Sequence, residues 1–236
     1  MSNSLPAVSE EVQENFFRDA LAATKSALVN GRAVTFNLQI AGVVVELVFP
    51  NQIELERFTP ALKHLEISAK KSPDASFYIW DSDSTGVDMP PPPCGKDRFT
   101  YRGDVWGFNS SNFHFAFDWG DHSVNLYDKS KKIAIYWTNS ATKTPYWTIA
   151  SPFRTLFSWL LKEYECQLVH GAAVGTHEGA VVITGKGGIG KSSTALSSLV
   201  NGMQFIGDDF IVVQNSSRPV AHCLYSSAKG KRRSSR

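Results

Sequence analysis

The sequence predicts an α/β unit preceded by a β-rich α+β unit, with the boundary near residue 150. Three observations carry this. Residues 98–150 are rich in aromatic residues that alternate along strand-like runs. An amphipathic helical pattern over 151–164 opens a stretch of different character. An apolar run at 179–184 then leads through a glycine-rich turn into a helix-like segment.

The 236 residues are 42% hydrophobic and 19% charged, which excludes collagen, a low-complexity linker and a wholly disordered chain. No run approaches the ~18–20 apolar residues of a membrane helix, and MSNSLPAVSEE lacks an apolar signal core, so no membrane partner is expected. Cys94, Cys166 and Cys223 are odd in number and widely spaced. They form neither a disulfide framework nor a zinc motif, and a reducing cytoplasm is the expected compartment. The net charge of +2 comes from the tail 229–236, which holds five basic residues and leaves 19 basic against 22 acidic residues elsewhere. A short tail is no nucleic-acid-binding face, so no nucleic acid is expected as a partner.

Along the first unit, 1–150, residues 9–29 read as a helix. Ser9 is the N-cap, Glu10 and Glu11 fill the first turn, and Gly31 lies past the end. Val12, Phe16 and Ala20 share its expected buried face. Alternation at Val34, Phe36, Leu38 and Ile40, followed by residues 42–49, predicts a strand pair. Residues 53–67 read as a short helix interrupted by Pro60, and 75–80 as a strand. Residues 81–97, with Pro90 to Pro93, read as a stiff surface loop; a ligand for a proline-recognition module is the alternative. RFTYR, FHFAFDW, SVNLYD and KKIAIYWT predict strands of an antiparallel sheet packed through its aromatic residues. A stacking platform for sugars or bases is the competing reading, but no basic stripe interleaves with these rings.

The second unit, 151–236, opens with Ser151-Pro152 as N-cap and first helical residue. Phe153, Leu156, Phe157, Leu160, Leu161 and Tyr164 then follow at helical spacing. QLVHGAAVG (167–175) and GAVVITG (179–185) are two strands joined by a short turn.

Gly185 to Ser192 reads GKGGIGKS and satisfies G-x-x-x-x-G-K-[ST]. Glycines let such a backbone curl with its amides turned inward on phosphates. The helix that follows, about 191–201, presents its N-terminal amides to the same anion. Lys191 then reaches the β- and γ-phosphates, and the Ser192 hydroxyl binds Mg²⁺. Sixteen residues on, Asp208 and Asp209 stand between apolar runs, where a carboxylate beside such a loop handles the metal. On an extended strand the two would point opposite ways and take separate roles. A solvated turn at Gly207 is the bland alternative. His170, alone, reads as a core histidine, but it precedes Gly171, where backbone can approach a ligand closely.

LVHGAAV, GAVVITGKGGIGKSSTALSSLV and FIGDDFIVV together resemble the catalytic domain of HPr kinase/phosphorylase and related serine kinases. The resemblance covers about 167–214. It implies a fold related to ATP-dependent phosphoenolpyruvate carboxykinase, and ATP with Mg²⁺ as cofactors. Gly185, Lys186, Gly187, Gly188, Ile189, Gly190, Lys191, Ser192 and Ser193 would hold the nucleotide. Asp208 would be the base that takes the proton of an acceptor serine, and Asp209 would support the metal or the base. His170 would lie beside the transferred phosphoryl group, with Lys191 on the phosphates. A serine-bearing protein or peptide would be the acceptor. The chain departs from the family at Gly187, where serine is common, and in residues 1–150. The family's domain also continues well past the acid pair. The expectation is therefore a shortened catalytic unit, with a natural basic tail as the alternative. Such a unit would lean on the N-terminal unit or on another subunit. The competing functions are a nucleotide-binding regulatory module and a fragment without turnover.

Overall fold

The computed structural model describes residues 6–68, 72–100, 103 and 105–226; the basic tail lies outside them. Helix α1 spans Glu10–Asn30, and the Ser9 hydroxyl accepts from the Val12 N–H at 3.4 Å, as its capping role predicts. Its buried face is rotated from the expected one. Val12 is 36% exposed, while Gln13, Phe16, Phe17, Ala20, Thr24 and Ala27 are buried. Two polar side chains join that face, Thr24 with its hydroxyl paired and Gln13 with its amide nitrogen paired but its Oε1 buried without a partner. Gln13 Nε2 donates to the Val8 carbonyl, and Thr24 Oγ1 donates to Ala20 O while accepting from Trp80 Nε1.

Strands β1 (Val34–Ile40) and β2 (Val43–Phe49) form the expected antiparallel pair. Ala41 and Gly42 join them with φ of 50° and 86°, the two-residue turn that matches strand twist. Pro60 divides the expected helix at 53–67 into α2 (Gln52–Phe58) and a 3-10 segment, Pro60–Leu65. Strand β3 (Ala75–Asp81) leads into the short α3 (Ser82–Thr85), capped by the Asp81 carboxylate. Strands β4 (Phe113–Asp118), β5 (Ser123–Asp128) and β6 (Ile133–Thr138) form an antiparallel meander.

The first sheet runs β1-β2-β3-β6-β5-β4. It is mixed rather than antiparallel, because β6 returns beside β3 and both β2–β3 and β3–β6 pair in parallel. The strand expected at 98–102 is absent among the described residues. Lys96–Arg98 form a 3-10 turn, Phe99 bridges only Val105, and Tyr101 and Arg102 lie outside the described residues.

Alternation assigns the two faces of this sheet. Trp80, Leu126 and Ile135 face α1, where Phe16 packs edge-on against Phe108 at 5.8 Å. Phe77, Ile79, Tyr127 and Tyr136 face the other way, towards α5 (Arg154–Lys162). Phe157 of α5 meets Phe77 at 5.3 Å. Helix α5 starts two residues later than the Ser151-Pro152 pair predicts, with Phe153 rather than Ser151 at its N-cap. A short α4 (Tyr146–Ala150) precedes it, and Ser151 Oγ donates back to the Trp147 carbonyl instead of capping forward. The chain turns at Phe153, whose φ is 57°. Leu156, Phe157, Leu160 and Leu161 are buried as their spacing predicts.

The second sheet is built on β7 (Cys166–Gly175). Strand β8 (Ala180–Thr184) flanks its second half, and helix α6 (Lys191–Val200) follows. Strand β9 (Gln204–Gly207) pairs with the second half of β7, and β10 (Phe210–Gln214) with the first half. Strand β11 (Val220–Cys223) closes the edge beyond β10. One buried cluster runs from the first sheet through α5 to Cys166, Val212, Leu224 and Tyr225, across the boundary expected near residue 150. The chain is thus mixed α/β with two sheets. No helix among the described residues is long and apolar enough to cross a membrane, and the three cysteines are free.

Candidate functional site

Strands β8 and β9 both run antiparallel to β7, so they run parallel to each other with β7 between them. Their C-terminal ends therefore point the same way. One end carries the glycine loop 185–190, the other the acid pair. Gly171 on β7 pairs with Thr184, the last residue of β8, and its N–H donates to the Asp209 carbonyl at 3.0 Å. Thr184, Gly171 and Asp209 thus form a row that crosses β8, β7 and the turn between β9 and β10. With strands about 4.8 Å apart, the two outer backbones stand about 10 Å from each other. Gly171 permits this row. A Cβ there would lie 2.8 Å from the Ile183 carbonyl oxygen, so any side chain would push β8 away.

The loop turns through Gly188 and Gly190, with φ of 84° and 98°. Gly190 is the N-cap of α6 and offers no side chain to the helix. The first-turn amides are therefore left for an anion, where the helix dipole is most positive. Lys191 is 9% exposed, and its ammonium donates to the carbonyls of Gly185 at 2.9 Å and Lys186 at 3.3 Å. Two of its three donors hold the loop's own backbone. Lys186, Gly187 and Ile189 are exposed along the loop, Ser192 is half-buried, and Ser193 is exposed on α6.

Asp208 and Asp209 do not continue an extended strand. Asp209 has a φ of 66°, and the Phe210 N–H closes a tight turn on the Asp208 carbonyl at 2.9 Å. This kink separates β9 from β10. Asp208 is 8% exposed, and its Oδ1 is buried without a hydrogen-bond partner. A solvated turn at Gly207 does not describe this, since Gly207 and Asp208 are both buried. A buried carboxylate oxygen left unpaired is costly, and a proton, a metal or a donor from a ligand would satisfy it.

His170 is an exposed residue of β7, not a core histidine. Its ring stacks on Phe210 across the strand pair, with centroids 4.9 Å apart and planes at 23°. Phe210 also lies under the Arg154 guanidinium at 5.9 Å, and Arg154 donates to Asp118 at 2.9 Å. Phe210 and Arg154 were not legible as site residues. The only signal for Phe210 is its place directly after the acid pair, and Arg154 sits in a helix whose apolar spacing draws attention elsewhere.

No family model matches this chain, and no curated protein matches it. The donor set suits Mg²⁺, which keeps several waters and takes one or two carboxylates plus phosphate oxygens. Asp208, Asp209 and the Ser192 hydroxyl are that kind of set. No group of three or more His, Cys, Asp or Glu side chains forms an all-protein metal cage among the described residues.

Proposed function

We propose that this chain binds Mg·ATP on the loop 185–190 and transfers a phosphoryl group to a serine hydroxyl, in the manner of HPr kinase-like serine kinases. The observation that carries this reading is the row Thr184–Gly171–Asp209. It gathers the glycine loop, His170 and the unpaired Asp208 carboxylate at one end of the sheet. In this reading 185–190 is a P-loop, and the α6 amides with Lys191 hold the phosphates. Bound Mg·ATP supplies the phosphoryl group and the counter-charge to it. Ser192 and Asp209 hold the metal. Asp208 accepts the proton of the serine hydroxyl, a step that a buried carboxylate with a vacant lone pair can take. His170, fixed in plane by Phe210, faces the transferred group. The acceptor is a serine in a protein or peptide.

A second reading is a nucleotide-binding regulatory module without turnover. It is favoured by the small core around α6, where Ala172, Val174 and Ala195 are the buried members. Strand β8 is exposed as well, with Val181 59% exposed. A second copy of the chain covering that face belongs to either reading. Phosphoryl transfer to serine peptides separates the two. Asp208→Asn is expected to keep Mg·ATP binding and lose transfer, while Lys191→Ala loses both. Full transfer by both variants overturns the kinase reading; binding without transfer by the wild type favours the module.

A further inference from the structure

A pocket of about 540 Å³ opens on the α1 side of the first sheet, away from every residue assigned above. Its volume falls within the roughly 300–1,000 Å³ range of small-molecule sites. Phe99, Phe117 and Trp119 form its aromatic wall. Phe117 meets Trp119 at 4.7 Å and 79°, and Phe99 meets Phe117 at 6.0 Å and 90°. These edge-to-face contacts hold the rings in place before any ligand arrives. Trp137 and the stiff run Pro90–Pro92 also line the pocket.

The polar handles of both tryptophans are already used. Trp119 Nε1 donates to the Thr100 carbonyl at 2.9 Å, and Trp137 Nε1 donates to Ser82 Oγ at 3.0 Å. What they offer a ligand is ring surface. Cys94 adds a thiol that burial keeps protonated, hence neutral. Lys96 is the one charged residue among the described lining residues, and it has no ion-pair partner among the described residues.

We infer that this pocket binds a small aromatic anion, its rings against Phe117 and Trp119 and its acid group on Lys96. The inference is independent of the nucleotide site. Two fluorescent probes with one shared ring system test it in the full chain: 1-anilinonaphthalene-8-sulfonate, and neutral N-phenyl-1-naphthylamine. Both are expected to bind saturably, one per chain, with quenching of tryptophan emission. Lys96→Glu should weaken the sulfonate about tenfold and leave the neutral probe within about twofold, because only the sulfonate draws on the charge at position 96. Trp119→Ala should weaken both. Since Trp119 is 49% exposed, the fold should survive, and an unchanged melting temperature verifies it. Decanoate, an anion without rings, should compete poorly. Three results would overturn the inference: a sulfonate affinity indifferent to Lys96→Glu, probe binding indifferent to Trp119→Ala, or decanoate competing as well as an aryl acid.

Discussion

Gly190 and Gly187 sit three residues apart in one loop, and a methyl group would meet different fates at each. Gly190 has a φ of 98°, a region L-residues avoid, whereas a Cβ on Gly187 meets nothing within 4 Å and has no left-handed φ to adopt. Gly190→Ala should therefore destabilise the chain by about 1–2 kcal/mol and, on the proposed function, abolish Mg·ATP binding. Gly187→Ser should change stability by less than about 0.5 kcal/mol. Urea denaturation compares the two. The loop, His170 and the acid pair stand out in the sequence as candidates, because each motif is contiguous in the chain. That Thr184, Gly171 and Asp209 share a row is not legible there, since it depends on pairing between strands.

Glu54 makes a different residue-scale prediction. It is 3% exposed on α2 near Asp81, and burial first, then Asp81, push its carboxyl up from 4.5 to about 8. The folded state keeps a proton that the unfolded chain releases. Stability should therefore fall as pH rises from 4.5 to 8 and level off above, with a slope of at most about 1.4 kcal/mol per pH unit. Glu54→Gln should flatten that fall and be the more stable protein at pH 9. Thermal melts across pH 4–9 read it; an unchanged slope in the variant contradicts it.

At the scale of elements, α5 joins the first sheet to the start of the second. Phe157→Ala removes the ring that meets Phe77 and should cost about 3–5 kcal/mol. Leu199→Ala on α6, 46% exposed, should cost less than about 1 kcal/mol. The difference is measured by chemical denaturation. Helix α5's buried positions were readable from spacing, but its start was not. Ser151-Pro152 is a strong capping signal, and a buried phenylalanine with positive φ is not what residue preference suggests. The buried face of α1 departs from its hydrophobic spacing for a related reason. Hydrophobic spacing does not register Gln13, which donates to the Val8 carbonyl just ahead of the helix, or Thr24, which accepts from Trp80 of the first sheet.

At the scale of the molecule, the cluster that includes Phe77, Phe157, Val212 and Tyr225 ties both sheets together. Tyr225 Oη donates to the Pro152 carbonyl at 2.7 Å and adds a polar tie between the same parts. The mixed class was legible from alternation and helical spacing. The parallel pairing of β2, β3 and β6 was not, because periodicity assigns a strand its faces but not its neighbours. The α6 side is the lightly packed part of the molecule, and it carries the proposed nucleotide site. Uptake of Mg·ATP by that loop is what the proposed function requires first. Calorimetric titration of the full chain with Mg·ATP, beside Lys191→Ala, is the direct measurement. Saturable one-to-one binding that disappears in the variant is the predicted result. A cooperatively folded wild type that binds no Mg·ATP, or a variant that binds it equally well, would contradict the account.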